Sequence, residues 1–117
     1  YRKAANQGYA VAQVMLGVMY TNGEGVAQDF KEAAERYHKA ADQGIAKAQF
    51  NLGIMYREGQ GVAQDNNEAV QWFRKAADQG HAVAQFNVGI MYREGKGVAQ
   101  DDNEAVQWLR KAADQGN

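Results

Sequence analysis

The sequence predicts an all-α fold, a right-handed α-α superhelix of tandem helix-turn-helix units, on three observations. All thirteen glycines fall on one 36-residue grid: Gly8, Gly44, Gly80 and Gly116; Gly17, Gly53 and Gly89; Gly23, Gly59 and Gly95; Gly25, Gly61 and Gly97. Ala40–Lys75 and Ala76–Lys111 differ at only six positions, 45, 47, 52, 60, 66 and 73. The same period carries Tyr20, Tyr56 and Tyr92, and Asp29, Asp65 and Asp101. A fixed period of this length in an alanine-rich, glycine-punctuated chain marks supersecondary units that bury their apolar sides by stacking on one another.

The 117 residues make one domain, 1–117, with units at 4–39, 40–75 and 76–111. Tyr1–Lys3 reads as the tail of an earlier second helix, and Ala112–Asn117 completes the last unit. In the middle unit the first helix is expected from about Ala46 to Glu58, where Ala48, Leu52 and Met55–Tyr56 recur at helical spacing and form one apolar face. Gly59 stops it by taking the left-handed conformation, and Gly59-Gln60-Gly61-Val62 forms the connector. The second helix starts at Asp65. Asp65-Asn66-Asn67-Glu68 has the pattern of a capping box, in which the Asp accepts from a free backbone N–H and the Glu reaches back. The box recurs as Asp29…Glu32 and Asp101…Glu104. Ala69, Trp72–Phe73 and Ala76–Ala77 form the buried stripe of this helix, and Gly80 ends it. Gly53 and Gly89 fall inside the first helices, where glycine costs roughly 0.5–1 kcal/mol against alanine, so a close helix crossing is expected there. Trp72 and Trp108 are expected to fill wider gaps.

Composition narrows the function. Net charge is −1 with the signs interspersed, which gives no electrostatic case for nucleic acid or an anionic membrane surface. No apolar run is long enough to cross a bilayer. The chain has no cysteine, serine or proline and one threonine, Thr21, so it offers no Ser or Cys nucleophile and no thiolate metal site. Gly23-Glu24-Gly25 and its copies lack the third glycine of a dinucleotide turn and the Lys-Ser/Thr of a P-loop. Glu35-x-x-His38 has the spacing of carboxylate metal sites, but the other units place Gln and Arg at those positions, which favours a solvated helix face. Asp101-Asp102-Asn103-Glu104 lacks the glycine and length of a calcium loop. His81 occupies the loop position of Ile45 and Tyr9 and reads as a tolerant surface site. No catalytic residue, cofactor or metal is expected.

The run Ala-Gln-Phe-Asn-Leu-Gly-Ile-Met-Tyr-Arg-Glu-Gly-Gln-Gly-Val at 48–62, then Asp65 and Ala69-x-x-Trp72-x-x-Lys75-Ala76-Ala77-x-Gln79-Gly80, closely resembles the Sel1-like repeat family, relatives of tetratricopeptide repeats. The likeness spans essentially the whole chain. Unit one departs most, with Tyr37 near the usual Trp and Val14-Met15 in place of Phe-Asn. The helix-pinning cysteines of some secreted bacterial members are missing. The resemblance implies a non-catalytic scaffold for proteins or peptides, often in a bacterial periplasmic or secreted setting.

Removing the core stripe from the first helix leaves 47, 51, 54 and 58, which share one face. These are Lys47, Asn51, Ile54 and Glu58 in unit two and Val83, Asn87, Ile90 and Glu94 in unit three, flanked by Arg57 and Arg93; unit one offers Val11, Met15, Val18 and Asn22. First helices are expected to line the concave side, so Lys47, Asn51, Ile54, Arg57, Asn87, Ile90 and Arg93 form the candidate peptide site. Asn51 and Asn87 suit it because an amide donates and accepts at once. The arrangement resembles the carboxylate clamp of tetratricopeptide relatives through Lys47, Asn51 and Asn87. Two alternatives stand beside it. The asparagines could instead bond across units and hold the stack in register, and Ile54 and Ile90 could be inter-helix packing. The whole chain could equally be a structural spacer in a larger protein. Open ends suggest end-to-end association, with the helices of Tyr1 or Trp108 partly exposed.

Overall fold

The computed structural model describes residues 2–115, with side chains described from Gly8 onward. It contains six helices among the described residues: α1 (Arg2–Asn22), α2 (Phe30–Asp42), α3 (Ala46–Glu58), α4 (Asn66–Asp78), α5 (Ala82–Glu94) and α6 (Asp102–Gln115). Each packs mainly on the helices before and after it in sequence, which is the connectivity of an α solenoid. The radius of gyration is 14.8 Å. A compact chain of this length would come to about 13 Å, so the molecule is somewhat more open, with extents of 43 × 34 × 23 Å.

The helix ends follow from local chemistry. Gly59 takes φ 72° as the C-cap of α3, and its N–H donates to the Met55 carbonyl. Asp65 is the N-cap of α4, one residue before the helix proper, and accepts from the Glu68 N–H at 3.1 Å. Asp29 and Asp101 cap α2 and α6 in the same way. The expected return bond from Glu68 does not form, because the Asp65 N–H already donates to the Tyr56 carbonyl at 2.9 Å. Asp29 and Asp101 use Tyr20 and Tyr92 likewise. The cap therefore ties the second helix to the last turn of the first, and the box is only half used.

Sequence and structure part at the start. Gly8 sits on the same grid as Gly44 and Gly80, which bend with φ 89° and 96°, yet α1 runs through it as one helix. Of the predicted earlier helix tail, Tyr1 lies outside the described residues, as do Gly116 and Asn117 at the other end.

The core forms two linked clusters, and each tryptophan bridges units. Trp72 of α4 belongs to the cluster of α1, α2 and α3, while Trp108 of α6 belongs to that of α4 and α5. Tyr37 stands 36 residues before Phe73 rather than before Trp72, whose place in unit one is taken by Arg36. Gly53 lies under the Phe73 ring: a Cβ there would meet Phe73 Cδ1 at 2.7 Å. Gly17 faces Tyr37 at 2.7 Å and Gly89 faces Leu109 at 2.8 Å, which is the close crossing the sequence called for. Gly61 has a different task. It adopts φ 76° and lies against the Phe30 carbonyl at the start of α2, so a Cβ would overlap backbone of the preceding unit; Gly97 meets Asn66 in the same way. The second connector glycine is thus a contact point between units.

Candidate functional site

The faces singled out in the sequence open onto two hollows between successive first helices. The larger, of about 500 Å³, lies between α3 and α5 and is lined by Arg57, Glu58, Gln64, Asn66, Phe86, Asn87, Ile90, Met91, Glu94 and Lys96. The smaller, of about 90 Å³, lies between α1 and α3 and is lined by Thr21, Tyr37, Asn51, Ile54, Met55 and Gln60. They are the same place one repeat apart, since Thr21 corresponds to Arg57, Asn51 to Asn87, Ile54 to Ile90, Met55 to Met91 and Gln60 to Lys96. Of the predicted site, Arg57, Asn87 and Ile90 come together in the larger hollow, and Asn51 and Ile54 in the smaller. Lys47 is exposed on α3 and Arg93 is exposed on α5, and neither lines either hollow.

The two asparagines differ in their surroundings. Tyr37 lines the smaller hollow together with Thr21 and Asn51. Burial pushes the phenol above its usual pKa, and the nearby polar side chains of Thr21 and Asn51 offset part of that rise. The Thr21 hydroxyl donates to the Gly17 carbonyl at 2.8 Å. At the corresponding place under Asn87 stands Phe73, fully buried and without a hydroxyl. The charges around Asn87 cancel in neighbouring pairs: Arg57 Nε lies 3.0 Å from Glu58, and Lys96 Nζ lies 3.4 Å from Glu94. These pairs are exposed and add little stability. They do leave the rim close to neutral.

Holding the stack in register falls to residues the sequence reading passed over. Gln49 and Gln85 are buried. Gln49 Nε2 donates to the Ala41 carbonyl at 3.2 Å, and Gln79 Nε2 donates to Gln49 Oε1 at 2.8 Å. Gln85 repeats this with Ala77 at 3.1 Å and Gln115 at 2.8 Å. Each buried amide thereby links its own first helix to the second helices on both sides. The signal was present in the spacing of Gln49 and Gln85 with Gln79 and Gln115, but an amide next to an apolar stripe gives no sign of which way it turns.

His81 is not a tolerant surface site. Its Nδ1 accepts from the Ala84 N–H at 3.1 Å and caps α5, and its ring stacks on Phe50 with centroids 4.7 Å apart. Burial holds its pKa below the ordinary value, with a backbone hydrogen bond acting the other way. His38 lies 3.2 Å from Asp42 and edge-on to Trp72 rather than in a ligand cluster, and among the described residues no three His, Asp or Glu side chains gather around a metal-sized space. No helix of the described residues is long and apolar enough to cross a membrane. At the far end Trp108 is itself buried, while its helix is exposed at Val106. The apolar surface there belongs to Val83 and Phe86, about half exposed, beside Leu109, Ala112 and Ala113.

With this geometry in hand, the chain was compared with known proteins. The Sel1 repeat model matches at residues 1–9, 10–45, 46–81 and 82–117. Among solved structures, a protective antigen present in uropathogenic Escherichia coli strains, described as displaying an SLR fold, is 52% identical with a TM-score of 0.91, over 99% of this chain and 25% of that one. A Sel1 repeat protein from Oxalobacter formigenes is 45% identical with a TM-score of 0.91, over 95% of this chain and 46% of that one. This chain thus spans a quarter of the first and under half of the second. Cysteine rich protein B of Helicobacter pylori, at 23% identity and a TM-score of 0.77 over 99% of this chain and 90% of that one, shares the fold. No curated protein matches in sequence.

Proposed function

The chain belongs to the Sel1 repeat family, and from that premise we propose that it is a non-catalytic scaffold which binds an extended peptide segment of a partner protein in the hollow between α3 and α5. Sel1 repeat proteins are in general protein-interaction scaffolds. The observation that supports this site is Asn87, a half-buried amide that opens onto about 500 Å³ of space among Phe86, Ile90 and Met91. An amide matches a peptide group in both directions, one N–H and one C=O, and the apolar neighbours suit an apolar side chain of the guest. The paired charges argue for a near-neutral guest rather than a free carboxylate, since Arg57 is already engaged by Glu58 and Lys47 stands outside.

The test is selection of displayed random peptides on the immobilised chain, followed by affinity measurements with the enriched peptides. Near-neutral peptides with an aliphatic or aromatic residue are expected. Asn87→Ala is expected to weaken them about tenfold, the loss of one well-made hydrogen bond to a buried peptide group, with the melting temperature unchanged. Peptides that bind Asn87→Ala and Ile90→Ser as well as the parent would rule this hollow out. The structural-spacer reading draws support from the smaller hollow, where Asn51 is turned toward Tyr37 of the preceding unit. It predicts that no enriched peptide depends on Asn87.

A further inference from the structure

We infer that copies of this chain join head to tail, the outer side of α1 in one copy docking on α5 and α6 of another, through the same packing that joins units within the chain. The internal junctions supply the pattern. There the first helix of a unit turns one side onto the preceding unit, and that side is fully covered: Ala48 and Leu52 of α3, and Ala84 and Val88 of α5, have no exposed surface. The same positions on α1 are Ala12, which is exposed, and Leu16, which is half-buried. Met15, at the place of Asn51 and Asn87, is 60% exposed. The receiving side is open as well. Phe73, Ala76 and Ala77 of α4 are buried in the cluster they share with α5. Their counterparts Leu109, Ala112 and Ala113 of α6, with Val83 and Phe86 of α5, line an apolar hollow of about 450 Å³.

Two particular contacts of the internal junctions have counterparts on these faces. Phe50 stacks on His81 with centroids 4.7 Å apart. The corresponding pair between copies is Phe86 with Tyr9, each about half exposed in the single chain. Gln85 Nε2 donates to the Ala77 carbonyl at 3.1 Å. Between copies the Ala113 carbonyl takes the same donor from Gln13, whose Oε1 already accepts from Arg36 at 3.3 Å. The unbroken α1 leaves this approach open. Consecutive helices joined by a few residues lie antiparallel, so α5 starts beside the end of α4. A helix docked on α6 in that manner carries Arg2–Gly8 out past the end of α6, not into it. A net charge of −1 sets up little repulsion between copies. The two faces differ, so the contact is heterologous: a dimer keeps one free face of each kind and can grow into a longer stack.

The test is sedimentation of the 117-residue chain between about 10 μM and about 1 mM, a range that reaches millimolar affinity. The weight-average mass is expected to climb with concentration from 12.9 kDa to beyond that of a dimer. Ala12→Glu and Ala113→Glu each put a carboxylate into the contact. Both sites are exposed in the single chain, and glutamate is nearly as good a helix former as alanine, so each variant should keep the parent's melting temperature in dilute solution. Each alone is expected to stay at 12.9 kDa. Mixed in equal amounts, the two should form a one-to-one dimer that grows no further, since each supplies the face the other has lost. A parent mass that does not change with concentration overturns the proposal. So does association that persists in both variants, or a mixture of the two folded variants that stays monomeric.

Discussion

The junction between units one and two and the junction between units two and three are built on one skeleton and finished differently. Both use a capping aspartate tied to a tyrosine carbonyl, Asp65 to Tyr56 and Asp101 to Tyr92. Both seat a connector glycine on the preceding second helix, Gly61 on Phe30 and Gly97 on Asn66. Both bury a glutamine that bonds the carbonyl eight residues before it. Among the positions that differ are Thr21 against Arg57, Tyr37 against Phe73, Gln60 against Lys96 and Ile45 against His81. The skeleton fixes geometry, and the differing side chains give each hollow its own lining and the α4–α5 joint its histidine cap. Perturbing the shared parts should therefore damage the two junctions equally, and perturbing the differing parts should separate them.

The largest effect is expected at the connector glycines. Gly61→Ala and Gly97→Ala each place a Cβ into backbone of the preceding unit at a positive φ. Each should cost about 3 kcal/mol or more, since neither the strained conformation nor the overlap can relax without moving a helix. Gly25 has nearly the same φ, 74°, but a Cβ there would meet only the Met19 methyl, at 3.5 Å. Gly25→Ala should cost about 1–2 kcal/mol, the conformational part alone. Urea unfolding of the three variants measures this directly. Equal losses at Gly25 and Gly61 would mean that the inter-unit contact contributes nothing.

A smaller and matched effect is expected at the glutamines. Gln49→Ala and Gln85→Ala each remove the donor to a carbonyl, Ala41 or Ala77, and the acceptor for Gln79 or Gln115. Unmet hydrogen bonds at buried groups cost about 1–3 kcal/mol. Both variants should melt lower by similar amounts, and loss at only one would show that the two relays are not equivalent.

How much of this was legible beforehand depends on what a repeat pattern can encode. Gly59 and Asp65 announce a helix end and a helix start because their local chemistry acts within three or four residues. Gly53 announces a close crossing because glycine is costly inside a helix and needs a reason. The period does not encode direction. Gln49 and Asn51 are both amides on α3, yet one turns inward to the Ala41 carbonyl and the other toward the hollow. Nor does it encode what lies one repeat away: Asn51 and Tyr37 meet at one hollow only because the fold brings α3 onto α2. The continuous α1 shows the same limit, since Gly8 occupies a bend position of the grid and lies within a helix.

The finest distinction between the junctions is a response to pH. His81 caps α5 with an unprotonated Nδ1 that accepts from the Ala84 N–H, where Ile45 at the start of α3 makes no side-chain cap. Protonation would remove the acceptor and set a positive charge on a helix N-terminus that already repels it. Burial also disfavours the cation, and the folded-state pKa lies below the ordinary value. The unfolded chain therefore takes up the proton first as the pH falls. The stabilisation is complete above the unfolded pKa of about 6.5 and declines as the pH drops below it toward the folded pKa. Melting temperatures between pH 7 and pH 5 should thus fall further for the parent chain than for His81→Ile, which restores at this joint the residue found at Ile45. Parallel curves for the two proteins would show that the imidazole does not set the acid response of the α4–α5 joint.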